Sequence, residues 1–186
     1  MAAKHRPGDM DSDPAFTAWR SHLEDFLDLD SRHSDARQWL WEIFTTHGSM
    51  PDELLAPLVL DRRRQLTEDA LTALLGEAST DLGRSVELHP MITLPDQRET
   101  TGQVVVYIDE ILSISRLGVF QAIADAVQTY IGERLHLVWP VCEEHHVGTH
   151  PAPTDSGVDW RCSIGDHTAR TSFAPGSVNL TADLGC

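Results

Sequence analysis

The chain has 186 residues, of which 41% are hydrophobic and 23% are charged. This length and composition suit one globular domain or two small ones, and they exclude a fibrous or wholly disordered chain. Acidic residues number 29 against 14 basic ones, which gives a net charge of -15. A negative field of this size repels phosphate backbones, so we expect no nucleic-acid partner.

The first 13 residues lack the apolar stretch of a secretion signal, and no run approaches the roughly 18 apolar residues that span a bilayer. We therefore expect a cytoplasmic protein that does not enter a membrane. The three cysteines are an odd number, so reduced thiols are expected rather than a disulfide framework. Cys186, the last residue, is expected to be free.

Four stretches in the first half of the chain repeat apolar residues at steps of three and four, which is typical of amphipathic helices. The first helix is predicted to begin near Pro14, and the second to stop at Gly48. The third opens at Pro51, and a fourth is predicted to begin at Thr67, whose hydroxyl can cap free amide groups. These four segments predict a helical bundle.

Three consecutive arginines, Arg62, Arg63 and Arg64, run against the acidic trend. We interpret them as a solvated helix end, where cations face the negative pole of the helix dipole, rather than as a phosphate-binding cluster.

The pattern then changes to β-branched and apolar runs. Residues 85–94 and 103–108 predict two strands joined by a polar loop over 95–102. A clear amphipathic pattern over 117–131 predicts a helix, after which 135–141 is expected to return as a strand that carries Trp139.

The predicted fold class is α+β: an N-terminal helical bundle, a small mixed α/β region, and a C-terminal zinc-ribbon-like β-hairpin. The predicted segments are a disordered tail over 1–13, the bundle over 14–80, the strand-strand-helix region over 81–135, the zinc-ribbon-like segment over 136–173, and a mobile tail over 174–186.

Two of the three cysteines and five of the ten histidines fall between His136 and His167. Cys142 and His145 form a C-x2-H pair, and Cys162 and His167 form a C-x4-H pair. Thiolate sulfur together with imidazole nitrogen suits zinc, and structural zinc commonly takes its four ligands as two close pairs. These four residues are the predicted zinc ligands.

The motif W-P-x-C-x-x-H, followed by H-P and then W-x-C, stands here as residues 139–145, 150–151 and 160–162. In this pattern the segment resembles a zinc ribbon, and specifically small actinobacterial proteins of uncharacterised function. The resemblance covers residues 136–173 and implies a metal-stabilised fold, but it supplies no activity. The second pair departs from the regular C-x2-C spacing, which leaves the fourth ligand open among His146, His150 and His167.

Glu143 and Glu144 adjoin Cys142, yet neither H-E-x-x-H nor the motif of nucleobase deaminases is present. We therefore assign no catalytic residue and favour an acidic protein-binding or adaptor module with a structural zinc site. One alternative is a zinc-dependent hydrolase with Glu143 or Glu144 as its base. Another is a metal-free acidic inhibitor or immunity-type protein that covers a basic partner, with Cys142 and Cys162 as small buried hydrophobic residues. Oligomeric state and partner identity stay open.

Overall fold

The computed structural model describes residues 10, 12–27, 29, 33–95 and 101–176. Over these residues the chain forms four α-helices and two antiparallel sheets of three strands. Helices dominate the N-terminal part and strands the C-terminal part, which confirms the predicted α+β class. Most of the predicted tails, Cys186 and much of the 95–102 loop lie outside the described residues. Within the described residues no helix has both the length and the apolar content to cross a membrane.

The first two helices pack around aromatic side chains. Helix α1 spans Pro14–Leu27, and its first turn is capped by Asp13, whose carboxylate accepts the N–H groups of Ala15 and Phe16 at 2.9 and 3.0 Å. Helix α2 spans Ser34–His47 and ends at Gly48, as predicted. Both helices contribute to a small cluster of buried residues that we call the N-terminal core: Phe16, Trp19, Leu23, Leu29, Ala36, Leu40, Trp41, Leu55, Val59 and Ile114.

One long helix replaces the predicted third and fourth helices. Helix α3 runs unbroken over Asp52–Leu82, 31 residues, and is about 46 Å long. The prediction that Thr67 caps a new helix was wrong, because buried positions recur at helical spacing from Leu55 to Ala78 and hold both halves in one helix. Pro57 lies near the start of α3, where its missing N–H removes only one helical hydrogen bond.

The three arginines lie in the middle of α3, so their interpretation as a solvated helix end was also wrong. Arg63 is only 1% exposed, and its guanidinium donates to the carbonyl oxygen of Leu112 from Nε at 2.9 Å and from Nη2 at 2.6 Å. Arg62 lies over the ring of Trp39 and pairs with Asp35 at 3.6 Å. Burial is the main reason that the pKa of Arg62 is lowered from its usual value.

The second half of the chain builds a larger core against the C-terminal half of α3. The first sheet joins β1 (Met91–Thr93), β2 (Gln103–Val106) and β3 (Asp109–Glu110) in that order. Helix α4 covers Arg116–Leu135, and the Ser115 side chain accepts the Gly118 N–H at 2.9 Å to cap its start. This main core unites α3, α4 and both sheets across the predicted segment boundary at residue 80.

The second sheet joins β4 (Thr149–Pro153), β5 (Gly157–Cys162) and β6 (His167–Phe173). It contains a C-terminal hairpin of β5 and β6, to which β4 adds a third strand. Helix α4 contacts β4 and β5, and the Trp160 side chain on β5 is completely buried in the main core.

The predicted strand over 135–141 was wrong. Helix α4 extends through Leu135, and His136 then ends it in the left-handed conformation at φ 54°. The Gln128 amide then donates to the Trp139 carbonyl at 3.1 Å. The Thr149 N–H donates to the Pro140 carbonyl at 3.0 Å, but this bond belongs to an isolated bridge between Val141 and Gly148 and not to a strand. Proline also lacks the N–H that a strand position needs.

Replacing Thr67 with valine should raise the free energy of unfolding by about 1 kcal/mol, because a buried polar group without a partner is costly and valine has nearly the same shape. The Thr67 hydroxyl is buried and finds no hydrogen-bond acceptor or donor among the described residues. Thr72→Val is the matched control, since Thr72 is exposed on the same helix and bonds the Glu68 carbonyl. Urea unfolding measures both variants, and a Thr67→Val protein less stable than the parent would contradict this account of the site.

Candidate metal centre

The first pair of candidate ligands lies in a tight turn that follows the buried Trp139. The Cys142 N–H donates to the Val147 carbonyl at 2.8 Å, and the His146 N–H donates to the Cys142 carbonyl at 2.8 Å. These two bonds close the turn, and His146 completes it in the left-handed conformation at φ 54°. The turn therefore presents the Cys142 and His145 side chains on the same side.

The second pair lies at the junction of β5 and β6. Cys162 and His167 are direct partners in the register of the two strands, and the four residues between them form the connecting turn. Partners across an antiparallel ladder place their side chains on the same face, with Cβ atoms about 5 Å apart. Strand pairing thus brings together the side chains of the C-x4-H pair, whereas a single turn brings together those of the C-x2-H pair.

The four donor atoms surround one point. The structure brings together Cys142, His145, Cys162 and His167, whose donor atoms all lie within 4.8 Å of one another. The Nδ1 atom of His145 is 3.6 Å from both sulfur atoms, and the Nε2 atom of His167 is 3.4 Å from the Cys142 sulfur. Zinc–sulfur bonds of about 2.3 Å and zinc–nitrogen bonds of about 2.05 Å in a tetrahedron put sulfur and nitrogen about 3.6 Å apart. The observed separations match this edge length.

These separations also lie within reach of thiol–imidazole hydrogen bonds. An imidazole nitrogen offers one hydrogen or one lone pair, and the His145 Nδ1 atom is equidistant from two sulfurs. One nitrogen cannot satisfy both sulfurs at full strength. Convergence of several donors on one point is the arrangement that a metal ion completes, so the group can hold a metal ion.

The two sulfurs are buried and the two imidazoles are partly exposed. Cys142 and Cys162 are each 1% exposed, whereas the side chains of His145 and His167 are 26% and 33% exposed. The backbone N–H of Gly165 is the main cause of a lowered pKa at the Cys162 thiol, and that of Ile164 adds to it. Both groups stabilise a thiolate, which is the form of cysteine that binds metals.

The other residues raised by the sequence do not join this group. His150 is exposed on β4, opposite Arg161, and its neighbour Thr149 lies opposite Cys162. Successive strand residues alternate between faces, so His150 points away from the Cys162 face. His146 is exposed, and among the described residues it does not belong to the four-donor group.

Glu144 flanks the group without entering it. Its two carboxylate oxygens lie 3.9 Å from Nε2 of His145 and 3.8 Å from Nε2 of His167, too far for direct hydrogen bonds. The Glu144 side chain is 73% exposed. Glu143 is also exposed. Asp109, an acidic residue on β3, lies beside Asp125 and not beside the four donors. Burial is the main reason that the pKa of Asp125 is raised, and the negative charge of Asp109 raises it further.

A polar network that the sequence did not predict fastens the second sheet to α3. Arg170 on β6 pairs with Asp81, and with Glu77 at 3.3 Å. The guanidinium lies 5.0 Å from the Trp139 ring centre and 5.9 Å from that of Trp160. Cations attract aromatic faces, so one side chain links two tryptophans to two acids of α3.

The same acids anchor the polar edges of both tryptophans. The Trp139 indole N–H donates to Asp81 at 2.8 Å. The Trp160 indole N–H donates to Ser172 at 2.9 Å, and Ser172 in turn donates to Glu77 at 2.5 Å. The acidic partners of these tryptophans lie more than 50 residues away in sequence, so no local pattern could reveal them.

Comparison with known proteins finds no match to a family model, to a curated protein or to a solved structure. The resemblance to zinc-ribbon-like actinobacterial proteins therefore stays a prediction.

Gly165 lies against both imidazole rings, so replacing it with alanine should displace them and lower zinc affinity by at least about 10-fold, the usual effect of disturbing residues around metal ligands. A Cβ atom at Gly165 would overlap His167 and come within 2.8 Å of the His145 ring. Competition with a chromophoric chelator measures the affinity.

Gly132→Ala is the matched control, because a Cβ atom on that residue of α4 meets nothing within 4 Å. It should leave zinc affinity unchanged and stabilise the helix by about 0.5–1 kcal/mol. Equal zinc affinities for the two alanine variants would contradict the tight fit at Gly165.

Proposed function

We propose that this chain is a protein-binding module whose C-terminal sheet is held in shape by one structural zinc ion. Cys142, His145, Cys162 and His167 would be its ligands. The observation that carries this proposal is the set of three sulfur–nitrogen separations of 3.4–3.6 Å, the spacing expected of a tetrahedral zinc site.

The donor chemistry supports zinc among the divalent metals. Two thiolates and two imidazoles are ligands that zinc binds in a tetrahedral arrangement, whereas magnesium and calcium require oxygen ligands. The Gly165 and Ile164 amides that favour the Cys162 thiolate support the same choice.

Zinc would join two turns that lie apart in the sequence. The first turn, at Cys142–His145, follows α4, and the second lies at the far end of β5 and β6. Most residues in the second turn are exposed, so little apolar area holds it in place. Structural zinc contributes on the order of 10 kcal/mol to the folding of small modules, enough to fix both turns.

A structural role suits the ligand set better than catalysis. Four protein ligands fill a tetrahedral site, while catalytic zinc keeps one position for water or substrate. The hydrolase alternative would need one of the four residues to leave the metal.

The protein-binding role itself is supported by the charge of -15 and by an exposed groove beside the proposed metal site. The alternative of a metal-free inhibitor is also consistent with the negative charge. One bound zinc per chain would argue against that alternative.

His167→Gln should weaken zinc binding by more than roughly 100-fold, since loss of a direct ligand exceeds the effect of changing its neighbours. His150→Gln and His146→Gln are the matched controls and should retain one zinc per chain. Elemental analysis of protein purified without added zinc, followed by chelator competition, measures all four proteins. A parent protein that carries no zinc would remove the basis of the proposal.

Cobalt substitution tests whether the metal has an open position. We expect the spectrum of a tetrahedral cobalt ion with two thiolate ligands, unchanged by added azide or cyanide, because all four positions belong to the protein. Spectral changes on adding these small anions would instead support a solvent-accessible position and the hydrolase alternative.

A further inference from the structure

A groove of about 630 Å³ lies directly beside the candidate metal centre. It is lined by three segments: the end of α3 at Asp81 and Leu82, residues 138–144 with His146, and the start of β6 from His167 to Arg170. This volume falls in the range of sites that bind small molecules or short peptide segments, about 300–1,000 Å³. Since Cys142 and His167 line it, its shape depends on the proposed zinc ligands.

One side of the groove is a strand edge. Within the described residues β6 is the last strand of its sheet and pairs only with β5. Thr168 pairs with Arg161 and Arg170 pairs with Trp160, so Ala169 between them has no partner and forms a β-bulge. A bulge bends a strand and re-aims its side chains. The free edge offers backbone groups to which an extended peptide can bond.

The groove carries apolar and acidic groups together. Val138 and Val141 are 60% and 45% exposed although both are aliphatic. Glu143 and Glu144 are exposed beside them, and no ion pair with lysine or arginine reaches either carboxylate among the described residues. Among the described residues the groove has one arginine, Arg170, which is already paired with Asp81 and Glu77.

The free charge of the groove is therefore negative, and the whole chain carries -15. Charge complementarity selects the occupant. An acidic ligand or a nucleic acid would be repelled, while an extended peptide with lysine or arginine next to aliphatic residues satisfies both the carboxylates and the valines.

We propose that this groove binds an extended basic segment of a protein partner, with its cations at Glu143 and Glu144 and its aliphatic side chains at Val138 and Val141. This inference rests on the proposed function, because zinc would hold the 142–145 turn and the start of β6 in place.

The probe is the peptide acetyl-Lys-Val-Lys-Val-Lys-Val-amide, titrated into the zinc-loaded full chain and followed by amide chemical shifts. We expect shifts confined to residues 138–146 and 167–170, with a dissociation constant of about 1 mM or lower. Raising sodium chloride from about 0.05 to about 0.5 M should weaken binding by at least roughly five-fold. The same peptide with glutamate in place of lysine should not bind.

Two double variants with equal net charge distinguish peptide binding at the groove from attraction by the overall negative charge of the protein. Glu143→Gln with Glu144→Gln should weaken peptide binding by at least about five-fold, because it removes both nearby carboxylates. Glu87→Gln with Glu110→Gln, at two exposed positions outside the groove, should change it by less than about two-fold. Equal effects of the two pairs would overturn the proposal.

Zinc content measured on the same samples distinguishes the possible failures. One zinc per chain with no peptide shifts at about 5 mM would overturn the groove assignment and leave the metal site standing. Groove shifts that depend on protein concentration without peptide would assign the surface to a second copy of the chain instead. A parent protein without zinc would overturn both proposals.

Discussion

The arrangement of the candidate site depends on the pairing of β5 with β6. Cys162 and His167 are opposed because the two strands are in that register, and a shift of one residue would send one of them to the opposite face. The Cys142–His145 turn then needs only to meet this pair. The turn is itself closed by backbone hydrogen bonds, so the four donors converge even though the β-bulge at Ala169 interrupts the β5–β6 ladder two residues after His167.

The register depends in turn on how the sheet is attached to the helices. Trp160 is fully buried in the main core, and Arg170 ties the neighbouring strand to Glu77 and Asp81 at the end of α3. Trp139 joins the same network just before the first turn. The sheet is therefore continuous with the helical part of the molecule, unlike a zinc-binding appendage on a flexible linker.

The unbroken α3 makes this attachment possible. Its N-terminal half packs in the N-terminal core through Leu55 and Val59, and its C-terminal half lies in the main core. The buried Arg63 contacts the Leu112 carbonyl just before α4 begins. Glu77 and Asp81 thus reach the second sheet from a rigid element, which positions the groove and the four donors relative to each other.

Much of the local structure could be predicted from the sequence, because its cause is local. Apolar spacing at steps of three and four located α1, α2 and α4. The spacing of the cysteines and histidines located Cys142, His145 and Cys162 for the same reason, since each pair of donors lies within one turn or one hairpin. A competing local signal explains one error: Thr67 suggested the start of a new helix, but the residues buried along α3 keep that helix unbroken.

Tertiary structure alone decided what depends on distant partners. The sequence left the fourth donor open among three histidines, and strand register placed His167 opposite Cys162 while turning His150 away. The sequence predicted that Arg63 lies at a solvated helix end, but its buried guanidinium donates to the carbonyl of Leu112, 49 residues later. The sequence by itself determined an acidic α+β protein with a Cys/His cluster, because its charge, its apolar periodicity and its residue spacing are properties of the chain itself. Packing determined which donors face one another, because that geometry arises only when separate segments meet.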